Sequence, residues 1–431
     1  MKLFIASGIF HPEPGGPATY LHELLPALLE RGWDIRALTY SDAPPSGGWA
    51  RTAYPVTRIE RESLPVRTLR YAAAARPLLA WADVVYLHTL GLPLWGSRRA
   101  PRIVKIVGDL AWERAIRKGW IAPTEDIDLF QTRRYGLPVM LDKAARARDA
   151  RSMDAVIVPS EYLKRMVVGW GVDAARVHVI YNALPDSNSP HPLSPPLQGG
   201  EEGQTPSAVP LPPQIAAEVR KSDALSPSPL GRGVGVRAAH AEGVSATILT
   251  AGRVLPWKGV DRLIEALALA NARGLRVGLR VAGDGTELAR LQALAERLCV
   301  TDQVEFLGRV GRAELAALMR AADYVALYSG YEGLSHTLLE SLREGTPVIA
   351  SDKGGNPEVV QHGVNGLLVP YYPDQPEQAA RALADALETA CRPGMREGLA
   401  AGTSLGMERF SFARMVEATA EVLARAAESQ A

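Results

Sequence analysis

The stretch YVALYSGYEGLSHTLLESLREGTPVIAS, residues 324–351, contains one strand–helix–strand unit. YVALYS (324–329) is a short apolar run typical of a buried strand, and PVIAS (347–351) is another. The segment between them predicts a helix that begins after Ser335, a residue type that commonly caps helices. This order predicts two parallel strands joined by a crossover helix, the building block of doubly wound sheets.

The same alternation extends over most of the chain. We therefore predict two doubly wound, Rossmann-like α/β domains that face each other across a central cleft. A Pro-, Gly- and Ser-rich segment between them predicts a mostly disordered insertion. The predicted parts are residues 1–183, the first Rossmann-like domain; 184–245, the insertion; 246–407, the second Rossmann-like domain; and 408–431, a C-terminal crossover helix. The predicted strands of the first domain are 2–7, 34–40, 84–89, 102–108, 155–160 and 177–182, and those of the second are 246–252, 277–283, 303–308, 324–329, 347–351 and 366–370.

Composition excludes several classes of protein. The chain has 431 residues and a formal net charge of +1, which gives no argument for a nucleic-acid partner. Cys299 and Cys391 are its two cysteines, so neither a disulfide framework nor a zinc site is expected. No apolar run is long enough to span a bilayer. We expect a cytoplasmic protein.

The N-terminal half is more basic than the rest, with 25 Lys and Arg against 18 Asp and Glu in residues 1–182. The stretches 67–82 and 114–121 combine basic with apolar or Trp residues. Helices with Arg on their solvated face explain this pattern. A peripheral contact with an anionic membrane, at the inner face, is the functional alternative.

Loops after the predicted strands carry charged residues suited to a nucleotide. Arg253 directly follows a strand, and Lys258 stands at the start of the next helix, where two cations and a helix dipole favour a diphosphate. Glu332 lies in a loop before the helix that contains Glu340, and a carboxylate there accepts hydrogen bonds from ribose or sugar hydroxyls. Surface cations near a glycine turn are the structural alternative, and two glutamates at this spacing are common by chance.

Taken together, these motifs resemble the retaining glycosyltransferases of family 4, which have the two-domain GT-B fold. The resemblance covers nearly the whole chain except the insertion. The matching stretches, in the family's order, are FHPEPGGPATYLHELLPALLERGWDI (10–35), GRVLPWKGVDRLIEAL (252–267), RVAGDGTELARL (280–291), VEFLGRV (304–310), the Glu-x7-Glu stretch (332–340), GTPVIASDKGGNPEVV (345–360) and HGVNGLLVP (362–370).

The resemblance implies a role for each matching residue. Arg253 and Lys258 would bind the donor diphosphate and stabilise the leaving group, Glu340 would hold the ribose, and Glu332 the donor sugar. It also implies a transfer from a nucleotide diphosphate sugar to a saccharide, lipid-linked or small-molecule hydroxyl, without metal or other cofactor. The C-terminal helix would pack back on the N-terminal domain. The other predicted donor-binding residues are Gly15, Gly16, Gly333, Leu334, Ser335, His336, Thr337, Leu338, Gly354, Gly355 and Asn356.

Departures from the family pattern leave alternatives open. Many relatives carry a histidine after the strand at 102–108, whereas Asp109 stands here, and it either contacts the sugar as a catalytic residue or caps a helix. His88 is a second candidate for this contact. Asp126 and Asp128 form the DxD sequence that holds a metal in glycosyltransferases of another fold, but helix-start acidity also explains them.

Two other functions remain open from the sequence alone. Relatives usually have Gly or Pro near the position of Ser335, and this change, together with Asp109, suggests a catalytically inactive sugar-nucleotide-binding protein. Doubly wound sheets also bind dinucleotides, although no G-x-G-x-x-G follows a strand here, so a nicotinamide-dependent oxidoreductase is less favoured.

Overall fold

The computed structural model describes residues 1–13, 16–42, 52–96, 99–184 and 245–429. Its first sheet has seven parallel strands in the order β3-β2-β1-β4-β5-β6-β7. The apolar runs of β1, β4 and β6 are buried on both faces, as expected for a sheet with helices on each side. The strands are β1 (Lys2–Ala6), β2 (Asp34–Ser41), β3 (Val56–Glu60), β4 (Val84–Leu87), β5 (Arg102–Lys105), β6 (Ala155–Val158) and β7 (Val177–Val179).

Helices cover the first sheet on both faces. Leu21 and Leu24 of the first helix pack on one face with Ile5 and Ile103, while Tyr71 of the second helix lies against Phe4 on the other. The helices are α1 (Gly16–Glu30), α2 (Leu64–Trp81), α3 (Leu110–Arg117), α4 (Ile127–Thr132), α5 (Leu137–Arg151) and α6 (Glu161–Gly169).

The second sheet has six parallel strands in the order β10-β9-β8-β11-β12-β13. Its strands are β8 (Ala246–Ala251), β9 (Val277–Ala282), β10 (Val304–Gly308), β11 (Tyr324–Leu327), β12 (Val348–Ser351) and β13 (Gly366–Val369). Its helices are α7 (Val260–Ala272), α8 (Leu288–Arg297), α9 (Arg312–Ala321), α10 (His336–Arg343), α11 (Asn356–Val359), α12 (Pro376–Ala390) and α13 (Met395–Ala401). In both sheets the first strand lies in the middle, the next two strands add on one side, and the remaining strands add on the other side. The loops that follow the central strands therefore lie together at the C-terminal end of each sheet.

The last helix, α14 (Phe412–Glu428), leaves the second domain and returns to the first. Val416 and Leu423 are buried in the same core as Leu21 and Leu24 of α1. Because this face of α14 is apolar, the helix binds the two domains into one unit, as expected from the sequence.

The predicted fold is confirmed, with local differences that include the helices Pro376–Ala390 and Met395–Ala401, which were not predicted. Strand β3 was not predicted, since VTRIE is short, contains charges and lies at the sheet edge, where it is only partly buried. Helix α1 begins at Gly16, one turn earlier than the apolar pattern indicates. The predicted insertion at 184–245 falls almost wholly outside the described residues.

Candidate functional site

Loops at the C-terminal ends of both sheets meet. Tyr331, which follows β11, donates a hydrogen bond from its hydroxyl to the carbonyl of Val107, which follows β5, at 2.9 Å. Trp112 of α3 packs edge-on against Trp257, with ring centroids 5.1 Å apart. A side chain on Gly333 would collide with the Val107 carbonyl, since its Cβ would lie 2.6 Å from that oxygen. The two domains therefore form a cleft lined by loops of the kind that bind ligands in open α/β sheets.

Lys258 and Glu332 come together in this cleft. The Lys258 ammonium donates a hydrogen bond to a Glu332 carboxylate oxygen at 2.5 Å, and both side chains are largely buried. Gly259 makes this geometry possible. It has φ +66°, and a Cβ there would lie 2.0 Å from the Tyr328 carbonyl oxygen. Arg253 is exposed and lines a small pocket beside Lys258 at the ends of β8 and β9. The structure thus brings together three of the predicted charged residues.

Glu340 lies on α10, two turns from Glu332. Burial raises the pKa of its carboxyl, and the nearby Arg312 and Arg343 partly offset this effect. Burial likewise raises the pKa of Glu23 on α1, and Arg312 lies 3.6 Å from that carboxylate. A carboxyl group in this environment has unused acceptor capacity, which suits hydroxyl groups of a ligand.

The start of α10 offers backbone donors to the cleft. The Ser335 hydroxyl accepts a hydrogen bond from the Leu338 amide and caps the helix, as the sequence predicts. His336 is exposed to the cleft, and Thr337 is half-buried. The walls of the cleft displace water from around the ring and lower the pKa of His336 to about 4, and the positive charges of Lys105 and Arg312 contribute to this shift. His336 is therefore neutral at physiological pH.

Several predicted donor-binding residues support the loops instead of lining a free surface. Leu334 and Leu338 are buried in the core of the second domain, so only their backbone remains for a ligand. A Cβ on Gly354 or Gly355 would collide with the backbone of the Glu332–Gly333 loop. These glycines permit close packing of two loops, where the sequence suggested close approach to a ligand.

Asn356 is also part of this support. It is fully buried, and its side-chain amide donates to the hydroxyl of Ser351 at 3.0 Å. The predicted lining role of Asn356 is therefore replaced by a structural one. On the opposite wall, Gly16 is exposed at the first turn of α1 with open space around its Cα. Gly15 lies outside the described residues.

Asp109 is a helix cap, and the predicted catalytic contact is not supported. Its side chain is fully buried, and one carboxylate oxygen accepts hydrogen bonds from the amides of Ala111 and Trp112. The other oxygen pairs with Arg146 and accepts a hydrogen bond from Gln131. With both oxygens occupied, Asp109 has no free acceptor for a sugar hydroxyl.

Asp126 and Asp128 bind a lysine of the other domain. Lys353 lies 2.8 Å from one Asp126 oxygen and 2.6 Å from one Asp128 oxygen. Asp126 also caps α4. Glu358 makes a second contact between the domains, because its carboxylate accepts hydrogen bonds from the amides of Glu161 and Tyr162 at the start of α6, both at 2.8 Å. The DxD sequence therefore belongs to the interface between the domains.

Sequence reasoning missed Glu113 on α3. One of its oxygens lies 3.3 Å from the position that a Cβ on Gly108 would take, next to the Tyr331 hydroxyl. Burial raises the pKa of Glu113, while Arg253 across the cleft lowers it. Glu113 follows Asp109 by one helical turn, so both residues lie on the same side of α3. This spacing could have indicated from the sequence that Glu113 faces the cleft. His88, the other candidate, is buried at the end of β4 against Tyr86 and Tyr20.

Comparisons with known proteins agree with this geometry. The model for Glycosyltransferase Family 4 matches residues 14–187, and the model for Glycosyl transferases group 1 matches residues 237–399. D-inositol 3-phosphate glycosyltransferase of Actinosynnema mirum is 30% identical over 94% of this chain and 91% of its own. None of the helices in the described parts of the chain is both long and apolar enough to cross a membrane.

Solved structures share the whole fold. Anabaena HepE in complex with UDP and glucose superposes with a TM-score of 0.66 at 20% identity, covering 99% of this chain and 100% of that one. Sucrose-phosphate synthase of Thermosynechococcus elongatus gives a TM-score of 0.67 at 19% identity, with 98% of each chain covered. Family matches over both domains, a relative that is similar over nearly the full length, and this shared fold show that the chain belongs to glycosyltransferase family 4 and has the GT-B architecture.

Proposed function

We propose that this glycosyltransferase moves a sugar, with retention of anomeric configuration and without a metal ion, from a nucleotide diphosphate sugar to a hydroxyl acceptor. The observation that carries the proposal is the grouping of Arg253, Lys258 and Glu332 at the C-terminal end of the second sheet. Two cations and a carboxylate at the strand ends match the phosphates and hydroxyls of such a donor.

Each charged residue has a distinct task in this proposal. A lysine ammonium has three donors, and Glu332 uses one, so Lys258 retains two for a diphosphate oxygen while it still orients Glu332. Arg253 adds a second cation. Negative charge develops on the leaving diphosphate as the glycosidic bond breaks, and fixed positive charge stabilises that transition state. These two side chains thus supply the electrostatic assistance that a metal gives in other transferases.

Retention follows from attack on the same face of the sugar as the departing diphosphate. Glu332, held by Lys258, would bind a donor sugar hydroxyl, and Glu340 would accept both ribose hydroxyls. Among known relatives, one acts on D-inositol 3-phosphate and a mycobacterial one uses GDP-mannose, while HepE binds UDP-glucose. We therefore propose a UDP- or GDP-sugar donor and a polyol, saccharide or lipid-linked acceptor.

A thermal-shift panel of UDP-, GDP-, ADP- and dTDP-sugars, with and without EDTA and alongside NAD and NADP, tests the donor. A ligand at about 100 times its Kd adds about 2.7 kcal/mol to the free energy of unfolding. We expect one sugar nucleotide to stabilise the protein equally in EDTA, and NMR of the product to show the donor's anomeric configuration. Loss of the shift in EDTA would refute metal independence, and stabilisation by NAD alone would refute the donor class. A donor that binds without any turnover would indicate an inactive binding protein.

We also propose that helix α2 contacts an anionic membrane surface. Leu64 and Leu69 are 65% and 61% exposed, and Arg70 beside them is exposed. Exposed apolar residues next to cations match the boundary between headgroups and acyl chains. Co-sedimentation with phosphatidylglycerol vesicles, but not with phosphatidylcholine vesicles, is expected for the protein and lost in Leu69→Ser. Equal sedimentation of both proteins would refute this contact.

A further inference from the structure

Lys105 has a buried amine that pairs with no carboxylate in the described part of the chain. It is the last residue of β5 and lies at the C-terminal end of the sheet, which meets the cleft. Only 4% of the residue is exposed. Its ammonium lies 3.6 Å from the centroid of the Tyr20 ring on α1. In the described part of the chain, this nitrogen has no hydrogen-bond partner. A buried amine in this state is costly, because it has lost its water and gained no acceptor.

His88 stands beside Lys105 at the end of the neighbouring strand β4. Its ring packs against Tyr20 and Tyr86, with centroids 5.3 and 4.4 Å away. Its Nε2 atom is buried and likewise has no hydrogen-bond partner among the described residues. Two basic side chains on adjacent strands therefore share one face of the sheet, and each has a buried nitrogen without a hydrogen-bond partner among the described residues.

The charged groups near this pair do not neutralise it. His336 of the second domain lies near Lys105, the cation Arg312 acts on the same His336 ring, and the charge of Lys105 lowers the pKa of both His88 and His336. The carboxylate of Glu23, on the same helix as Tyr20, pairs with Arg312 at 3.6 Å. Burial holds the pKa of Lys105 well below its usual range. A packing role would be served better by an apolar residue, so the amine indicates a ligand that brings negative charge.

We propose that Lys105 and His88 form an anion-binding site on the acceptor side of the cleft, which takes a phosphate or carboxylate group of a substrate. The donor diphosphate has its own cations, Arg253 and Lys258, on the other domain. The site on the first domain therefore suits an anionic acceptor best. This assignment to the acceptor rests on the proposed function, whereas the anion site itself does not.

Inorganic sulfate is the probe, because its charge is constant over the useful pH range. Thermal unfolding is measured in a series of sodium sulfate against sodium chloride of equal ionic strength. The Lys258→Met protein serves as background, since it lacks the main cation of the donor site. We expect sulfate to stabilise this background, and Lys105→Met added to it to weaken the apparent affinity at least about tenfold, a typical effect of losing a charge-assisted hydrogen bond. An equal response in both proteins would overturn the proposal.

Controls separate the site from a general charge effect. Lys118→Met removes an exposed lysine of the same domain and is added to the same Lys258→Met background. Sulfate should stabilise this double variant as much as it stabilises the Lys258→Met protein. His88→Phe replaces the imidazole by an aromatic ring without nitrogen atoms, so it should weaken the sulfate response even if Lys105→Met folds poorly. An unchanged response in His88→Phe would remove His88 from the site.

Nucleotide binding distinguishes the two sources of the anion. If the acceptor supplies it, Lys105→Met alone binds UDP and GDP as the unmodified protein does, and loses only the sulfate response. If the donor diphosphate supplies the anion, Lys105→Met weakens both nucleotide binding and the stabilisation by sulfate. That result supports the anion site and assigns it to the donor instead of the acceptor. The sulfate measurement needs no nucleotide, so it stands even if the proposed donor class is wrong.

Discussion

Replacing Lys353 by methionine should loosen the contact between the two domains. Its ammonium lies between Asp126, whose side chain is 2% exposed, and Asp128, whose side chain is 47% exposed. Removing one partner of a buried ion pair costs about 3–5 kcal/mol, because the other charge stays buried and uncompensated. The half-exposed Asp128 adds less than about 1 kcal/mol. Since Lys353 is itself 19% exposed, we expect a total loss of about 2–4 kcal/mol.

Thermal unfolding followed by calorimetry measures this loss. For domains of this size, about 1 kcal/mol shifts Tm by about 2–4 °C, so a loss of about 2–4 kcal/mol should lower the first unfolding transition by roughly 4–16 °C. Lys118→Met, an exposed lysine, should leave it unchanged. In an Asp126→Asn background, Lys353→Met should cost less than about 1 kcal/mol, since no buried charge is then left alone. A shift for Lys353→Met no larger than that of Lys118→Met would refute the reasoning.

Three further predictions concern the cleft. Lys258→Met should weaken binding of the donor nucleotide about 10–100-fold, from the loss of hydrogen bonds to a charged group, and isothermal calorimetry measures it; an unchanged Kd would remove Lys258 from the donor site. Because burial raises the pKa of Glu340, donor binding should weaken as pH falls through that raised pKa, whereas Glu340→Gln should bind weakly at every pH; parallel pH profiles would contradict this. Burial also raises the pKa of Glu113, so its ionised form lowers the free energy of unfolding at pH values above its pKa in the unfolded chain. Urea unfolding should therefore show Glu113→Gln to be more stable than the unmodified protein at neutral pH and equally stable at acid pH, while its turnover falls.

Much of the fold follows from patterns that one sequence contains. Runs such as VVYL of β4 are apolar at every position, because a parallel sheet covered by helices buries both faces of its central strands. The edge strand β3 lacks this pattern, since its pairing to β2 depends on a backbone ladder that leaves no mark on side-chain type. The early start of α1 was missed because Gly16-Pro17 indicates a turn as strongly as a helix start.

The site was predictable where chemistry depends on residue type and not where it depends on contacts. Arg253, Lys258 and Glu332 lie in segments that connect strands to the following helices, and position in the sequence suffices to bring them to the C-terminal end of the sheet. Asp109 and Asn356 could not be assigned in this way, because an aspartate that caps a helix and one that binds a sugar look alike in sequence. Only the observed partners of these two side chains separate support from binding.

The state of their hydrogen bonds, more than burial itself, divides the polar residues near the cleft into two groups. Asp109 is buried, but its carboxylate has amide and guanidinium partners, so Asp109→Asn should lower stability. Lys105 is equally buried, but its amine has no partner, so Lys105→Met should leave stability unchanged or raise it. A residue that costs stability where an apolar one would not is expected at a binding site, since the ligand supplies the missing partner. The sign of the change in the free energy of unfolding therefore tests each assignment independently of any substrate: a marked loss of stability in Lys105→Met would place Lys105 with Asp109 in the scaffold.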